Sequence, residues 1–248
     1  MATYTSPFNA LKAGSKQEYG LVVSFVDANT ISLSPGLIYA SDETTPMSVA
    51  TPITTTMTAM GGSEPTDGLA YPWLGVNAGA APSFWLDTSP TVPTLTPAGI
   101  TAKRYIGPAL RNDGSQNMAL FSSIRAGRSV SVTFPSTNAF LATGNLLAPV
   151  AFSLVPFIPA TASTVWGRVV GMTNEASAPL YRQTSIWADA AMTHLLGASG
   201  TEGGPNEQNW VFGAIGTESV TLSALYYNCS VATFTVAILS LSGFTEAI

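Results

Sequence analysis

Between Trp210 and Leu241 the chain carries a single charged residue, Glu218, and its apolar side chains recur at every second position. In Ser219–Tyr227, Val220, Leu222, Ala224 and Tyr226 fall on one side, with Thr221 and Ser223 on the other. In Val231–Leu241, Phe234, Val236 and Ile238 alternate with Thr233 and Thr235. A period of two, built from β-branched and aromatic residues, describes a strand with one face in a core and the other in water. We therefore expect consecutive antiparallel strands here, turning at Asn228-Cys229-Ser230, with the last strand stitched into the sheet.

The same alternation returns at Arg128–Phe134, where Val130, Val132 and Phe134 oppose Ser129, Ser131 and Thr133. Further short strands are expected at Tyr19–Val26, Thr30–Leu33, Leu37–Ala40, Met118–Ile124, Ala148–Ile158 and Ser163–Val170. One helix is expected over Ser185–Leu196: Thr184 or Ser185 stands at its N-cap, Ile186, Ala190 and Thr193 share a face, and Gly197 ends it. Ser41 to Pro108 reads as a run of long loops rich in Thr, Pro, Gly and Ala, with short strands at Thr51–Met60 and Ser83–Leu86. Ala198–Asn209 reads as an exposed Gly-rich loop. The expected class is all-β, an antiparallel β-sandwich with long loops and one or two short helices. Residues 1–18 are expected as an extended N-terminal arm, and 19–248 as a single domain with a large loop insertion at about 41–108.

Only 9% of the residues are charged, against about 25% in an ordinary soluble domain. Ser and Thr number 56, so the polar surface is built from hydroxyls. A hydroxyl that finds a partner is far cheaper to bury than an ion. Such a composition suits a protein that hides its surface against copies of itself. Net charge is −5, and the nine basic residues are scattered from Lys12 to Arg182. Affinity for phosphates through counterion release needs clustered cations, so strong nucleic-acid binding by a basic arm is not expected. The mean hydropathy is +0.28, but the longest uncharged stretch, Ser129–Gly167, is interrupted by Pro135, Pro149, Pro156 and Pro159. No membrane span is expected, since that needs about 20 apolar residues in succession. The N-terminus lacks a basic segment followed by an apolar one, so no signal peptide is expected.

No catalytic constellation is found. His194 is the only histidine; a nucleophilic triad would need a serine and a carboxylate about its ring, and Asp189, five residues upstream, does not share its face on the expected helix. One histidine and one cysteine, Cys229, are too few for a zinc site. Asp42-Glu43, Glu64 with Asp67, and Asn112-Asp113-Gly114 offer oxygens that suit calcium, yet their spacing fits turns better than a calcium loop. No catalytic, cofactor-binding or metal residue is assigned, and structural calcium is the one weak exception. Cys229 reads as a small buried hydrophobe. Trp73, Trp85, Trp166, Trp187 and Trp210 suit either a sugar-binding face or a core with subunit contacts.

In style, most of the chain resembles the capsid proteins of small non-enveloped icosahedral viruses. The resemblance rests on the Thr/Ser/Pro-containing arm at 1–18, the run of short strands, the Pro-rich uncharged segment Leu146–Gly167 and the final strand Ser230–Leu239. It implies a viral jelly roll that self-assembles in many copies around a genome, located in the virion, with its own copies, and a second coat protein where the shell has one, as partners. The chain departs from many RNA-virus coats in lacking a strongly basic arm. The alternative from another class is a carbohydrate-binding β-sandwich module, a phage fibre or lectin-like protein, for which the tryptophans speak.

Overall fold

The computed structural model describes residues 18–60, 68–77, 80–112, 119–134, 140–144, 147–155, 157–172, 182–201, 206–212, 225–230 and 236–248. In chain order, β1 (Tyr19–Gly20), β2 (Val23–Asp27), β3 (Thr30–Leu33), β4 (Gly36–Tyr39), β5 (Pro46–Val49) and β6 (Ile53–Thr56) form two three-stranded sheets, β1-β4-β5 and β2-β3-β6. β7 (Gly68–Val76), β8 (Ser83–Asp87), β9 (Ala102–Tyr105) and β10 (Leu110–Asn112) form a third, centred on β7. The remaining strands are β11 (Ser122–Ala126), β12 (Ser129–Thr133), β13 (Phe140–Gly144), β14 (Val150–Phe152), β15 (Ala162–Met172), β16 (Arg182–Trp187), β17 (Leu195–Thr201), β18 (Asn206–Phe212), β19 (Leu225–Cys229) and β20 (Val236–Ala247). They make the sheet β11-β12-β20-β15-β18, with β13 also on β20, and the sheet β14-β19-β16-β17. Every pairing among the described residues is antiparallel. The protein is all-β, as its alternating sequence requires. No helix among the described residues is long and apolar enough to cross a membrane.

The opening strands show how two sheets arise from one bent hairpin. β1 pairs with β4 and β2 with β3, so the hairpin turns a corner at Gly20-Leu21 on one arm and Ser34-Pro35 on the other. Gly20 (φ 67°) and Gly36 lie opposite each other. A Cβ on Gly20 would stand 2.2 Å from the Pro35 carbonyl oxygen, so the corner needs glycine there. Leu21 also has positive φ (56°), and its side chain is fully buried, which repays the strain.

β20 is the spine of the largest sheet. Its Gly243–Ala247 half pairs with β12, its Ala237–Ser240 half with β13, and its other edge with β15. Pro72 sits inside β7 where one neighbour on that edge hands over to another. β10 pairs up to Ala70, β9 begins at Trp73, and between them Pro72 offers only its carbonyl, to the Ile106 N–H. A proline with no N–H to donate is tolerated at such a break. A continuous apolar core joins all the sheets. It includes Ile31 and Leu33 of β3, Leu74 of β7, Leu86 of β8, Val130 and Val132 of β12, Ile186 of β16, Leu225 of β19 and Phe244 of β20.

Several expectations are corrected. The helix over Ser185–Leu196 does not form. β16 runs through Trp187, the chain turns at Ala188–His194 with Met192 at φ 57°, and β17 starts at Leu195. Ile186 is fully buried between β17 and β19, and that sheet pairing outweighs a helical spacing only three turns long. The expected loop Ala198–Asn209 contains the end of β17 and the start of β18, with 202–205 outside the described residues. The stretch 41–108 holds β5 to β9; its Thr and Ala residues lie on strands with little sequence contrast between faces. The turn placed at Asn228-Cys229-Ser230 falls mostly within β19, and that strand buries Leu225, Tyr227 and Cys229, the opposite set of alternate positions from the one the sequence favoured. Tyr226 and Tyr227 put an aromatic ring on each face, so the tyrosines do not choose between them.

Candidate functional site

Among the described residues Asp87, Arg104 and Glu246 are buried charged side chains, and several others pair across long stretches of the chain. Glu18, just before β1, has a side chain only 8% exposed. It accepts two hydrogen bonds from Arg128 (2.9 and 3.0 Å) and faces Arg104 at 3.9 Å. Glu43, in the turn between β4 and β5, accepts from Arg104 (2.9 Å) and also from Arg128. Burial pushes the Glu18 carboxyl up, but the hydrogen bond and charge of Arg128, with Tyr39 N–H and Arg104, outweigh it and leave it lowered. Arg128 and Arg104 hold the Glu43 carboxyl down at about 2. Arg125 lies alongside: it donates to the Gly127 and Ile106 carbonyls, and burial brings it down to about 10.

Glu246 of β20 is fully buried. Its carboxylate accepts from the Tyr105 hydroxyl (2.8 Å), the Ala109 N–H (3.1 Å) and the Thr161 hydroxyl, joining the end of β20 to the sheet of β7 and β9. Burial raises its pKa, against the three hydrogen bonds that lower it. Tyr105 packs against Tyr71 and Trp73, and Trp73 stacks on Trp85 with 6.3 Å between ring centroids and 18° between planes. Burial, helped by the nearby Glu246 charge, raises the Tyr71 phenol to about 12.

Asp87, at the end of β8, is also fully buried. It accepts from Ser89 N–H (3.0 Å), Thr94 N–H (3.0 Å), the Thr94 hydroxyl (3.0 Å) and Leu95 N–H (3.1 Å). The Trp73 indole N–H holds the Ser89 carbonyl at 2.8 Å, and Lys103 reaches the Thr96 hydroxyl at 3.1 Å. The loop that follows β8 is thereby fixed from within, with Pro93 buried and Val92 and Leu95 turned outward, 71% and 59% exposed.

Elsewhere the outer face of the β11-β12-β20 sheet is neutral. Ser122, Ile124 and Ala126 of β11 stand opposite Thr133, Ser131 and Ser129 of β12, which in turn stand opposite Gly243, Thr245 and Ala247 of β20. Ile124, 75% exposed, is the apolar high point of this face.

The residues singled out in the sequence are dispersed. His194 lies in the β16–β17 loop, and it is its backbone N–H, not its ring, that Asp189 accepts (2.9 Å), together with Thr193 N–H and hydroxyl. Asp42 accepts from Thr44 N–H, Thr45 N–H and the Thr45 hydroxyl and is lowered to about 2 by its own turn, the Thr45 hydroxyl first. Asn112 is buried in β10, whereas Glu64, Asp67 and Asp113 lie outside the described residues. No group of three or more His, Cys, Asp or Glu side chains placed to hold a metal occurs among the described residues. Cys229 is buried beside the Thr184 hydroxyl (3.7 Å), and burial raises its thiol. Trp73 and Trp85 belong to the core, Trp166 is half-buried over Gly243, and Trp187 donates to the Asn228 side chain at 2.8 Å. The Trp210 side chain lies outside the described residues. What the sequence did not reveal is the pairing of Glu18, Glu43, Arg104 and Arg128, and the burial of Asp87 and Glu246. Each joins residues far apart in the chain except Asp87, whose Asp-Thr-Ser-Pro start carries a local turn signal.

No protein-family model matches the chain, and no curated protein does. Structural neighbours include particles of infectious bursal disease virus. The VP2 subviral particle gives 10% identity over 93% of this chain and 70% of that one, with a TM-score of 0.26. The Gx strain structure gives 13% identity over 95% and 67%, with a TM-score of 0.23. The T13 viral particle gives 10% identity over 93% and 67%, with a TM-score of 0.26. Scores of this size fall short of a shared arrangement of strands.

Proposed function

We propose that this chain is a structural protein that assembles with many copies of itself into a closed icosahedral shell around a viral genome, and so resides in the virion. The observation that carries the reading is the inward use of charge. Among the described residues Asp87, Arg104 and Glu246 are buried and Glu18 is ion-paired with a side chain only 8% exposed, while Ser122, Ser129, Thr133, Val92, Leu95 and Ile124 face outward. A monomer that must stay dispersed keeps its surface charged. A surface of hydroxyls is cheap to dehydrate, and many weak contacts repeated under closed symmetry give a stable shell. In this reading the chain is not an enzyme and uses no cofactor, and its principal partners are its own copies. Size-exclusion chromatography with light scattering on the purified chain, followed by electron microscopy of the high-mass fraction, tests it. Uniform closed particles or their pentameric or trimeric building blocks are expected; a monomer across pH, salt and calcium overturns the reading.

A further inference from the structure

Three arginines and two carboxylates meet where four stretches of the chain converge. Glu18 precedes β1, Glu43 sits in the β4–β5 turn, Arg104 is on β9, and Arg125 and Arg128 belong to the β11–β12 hairpin. Arg128 spans both carboxylates, donating to Glu18 at 2.9 and 3.0 Å and to Glu43. Arg104 also faces both, at 2.9 Å from Glu43 and 3.9 Å from Glu18. Arg125, tied to the Gly127 and Ile106 carbonyls, adds its charge beside Glu18, Arg104 and Arg128. β4 and β5 pair only with each other and with β1 among the described residues. The β4–β5 turn is held to β9 and to the hairpin by other means: this cluster, Arg104 on the Tyr39 carbonyl (3.1 Å), and the Ser41 N–H on the Lys103 carbonyl (3.1 Å).

We propose that Glu18 and Glu43 form an acid-released clasp. It holds the β4–β5 turn and the start of β1 against β9 and the β11–β12 turn at neutral pH, and lets them part locally when both carboxyls take up protons. Ionised, each carboxylate sits between two guanidiniums, and charge-assisted hydrogen bonds hold the cluster shut. Protonated, the same groups leave three guanidiniums side by side with no counter-charge from either glutamate. Arginine cannot shed its proton to relieve the repulsion. Leu21, Ile38, Met47 and Val49 beneath are fully buried and uncharged, so they keep the sheet seated and confine the opening to the turn and the strand start. Burial pushes Glu18 up, but Arg128 and Arg104 leave it lowered, and the same two arginines hold Glu43 at about 2. The clasp is therefore shut above 4.5 and opens as pH falls through those lowered values.

Hydrogen exchange on the full chain tests it. The reporters are the Tyr39 and Ser41 N–H groups, which donate out of the turn to Glu18 and Lys103, compared with amides of the β15–β20 pairing. On acidification from about pH 7 to about pH 2, protection corrected for intrinsic rate should fall about tenfold or more at the reporters before the β15–β20 amides lose theirs. A Glu18→Gln/Glu43→Gln double variant should show that loss already at neutral pH, with its circular dichroism unchanged. Salt supplies a readout that a packing role would not move. It should lower reporter protection in the wild type, by screening the clasp, and raise it in the double variant, by screening the arginines from one another. Reporters and β15–β20 amides losing protection together on acidification overturn the proposal. So does a double variant as protected as the wild type at neutral pH, or salt acting in the same direction on both. If the double variant does not fold, the acid series on the wild type decides alone.

Discussion

Replacing Glu246 tests how the two halves of the core are tied together. Its carboxylate is the shared acceptor for Tyr105, Thr161 and Ala109, which come from three separate segments. In Glu246→Ala those donors lose their acceptor inside the core and a void replaces the side chain. At about 1 kcal/mol for each orphaned donor plus the cavity, the cost should be about 4 kcal/mol. A chain of this size loses roughly 2–4 °C in Tm per kcal/mol, so a drop of about 10 °C is expected. Glu246→Gln keeps the shape and removes the buried charge, but sets its NH2 against one of the donors, for a net cost of about 2 kcal/mol. Urea unfolding of the wild type, both variants and Tyr105→Phe, followed by intrinsic fluorescence, measures these values. A pH series adds an independent readout. Burial raises the Glu246 pKa above its ordinary 4.5. Between 4.5 and the raised value the folded chain keeps a proton that the unfolded chain has lost, so this group makes stability fall as pH rises through that window. Glu246→Gln should lack that decline. If both variants unfold within about 0.5 kcal/mol of wild type, as unimportant surface changes do, the carboxylate is not the tie described here.

Other perturbations test separate parts of the structure. Gly243→Ala places a Cβ 2.1 Å from the Val132 carbonyl and 2.5 Å from the Trp166 ring; a loss of about 3 kcal/mol and an altered near-UV signal from tryptophan are expected. Arg128→Ala removes a shared cation from Glu18 and Glu43 and leaves both beside Arg104. With both carboxyls held below their ordinary 4.5, the stability they contribute is present above 4.5 and is lost as pH falls, for Glu43 toward about 2 and for Glu18 through its own lowered value, so the variant should show a weaker acid-side decline in unfolding titrations. Cys229 is buried, so a thiol reagent should label it in denaturant and fail to do so in the native protein over the same time.

The strands with contrasting faces were legible in the sequence. Val130 and Val132 are buried and Ser129 and Thr133 exposed, as their alternation demands. Where contrast was missing, the reading failed. Leu225, Tyr226 and Tyr227 are all apolar enough to face inward, and only pairing with β14 and β16 selects Leu225 and Tyr227. In Ser185–Leu196, alanines and one isoleucine mimic a helical stripe, while the deciding contacts, Thr184 with Cys229 and Ile186 with Tyr227, lie more than 40 residues away. The internal ion pairs were out of reach for the same reason: Glu18 and Arg128 are 110 residues apart. The surface reading needed no such partners. Scarce charge and abundant hydroxyls were plain in the composition, and the structure adds that Asp87, Arg104 and Glu246 are buried.

β20 lies after β12, β13 and β15 in the chain, yet it is the strand that joins all three. During synthesis those strands wait with open edges, and the outer face that carries Ile124 lacks its third row until Gly243, Thr245 and Ala247 have emerged. The same strand brings Glu246 to Tyr105. A chain that stops short of β20 therefore has neither a finished core nor a finished central sheet. The order of the strands along the sequence works as a timer: the core closes only after the chain has been made through β20, so every earlier length of the chain presents unpaired strand edges.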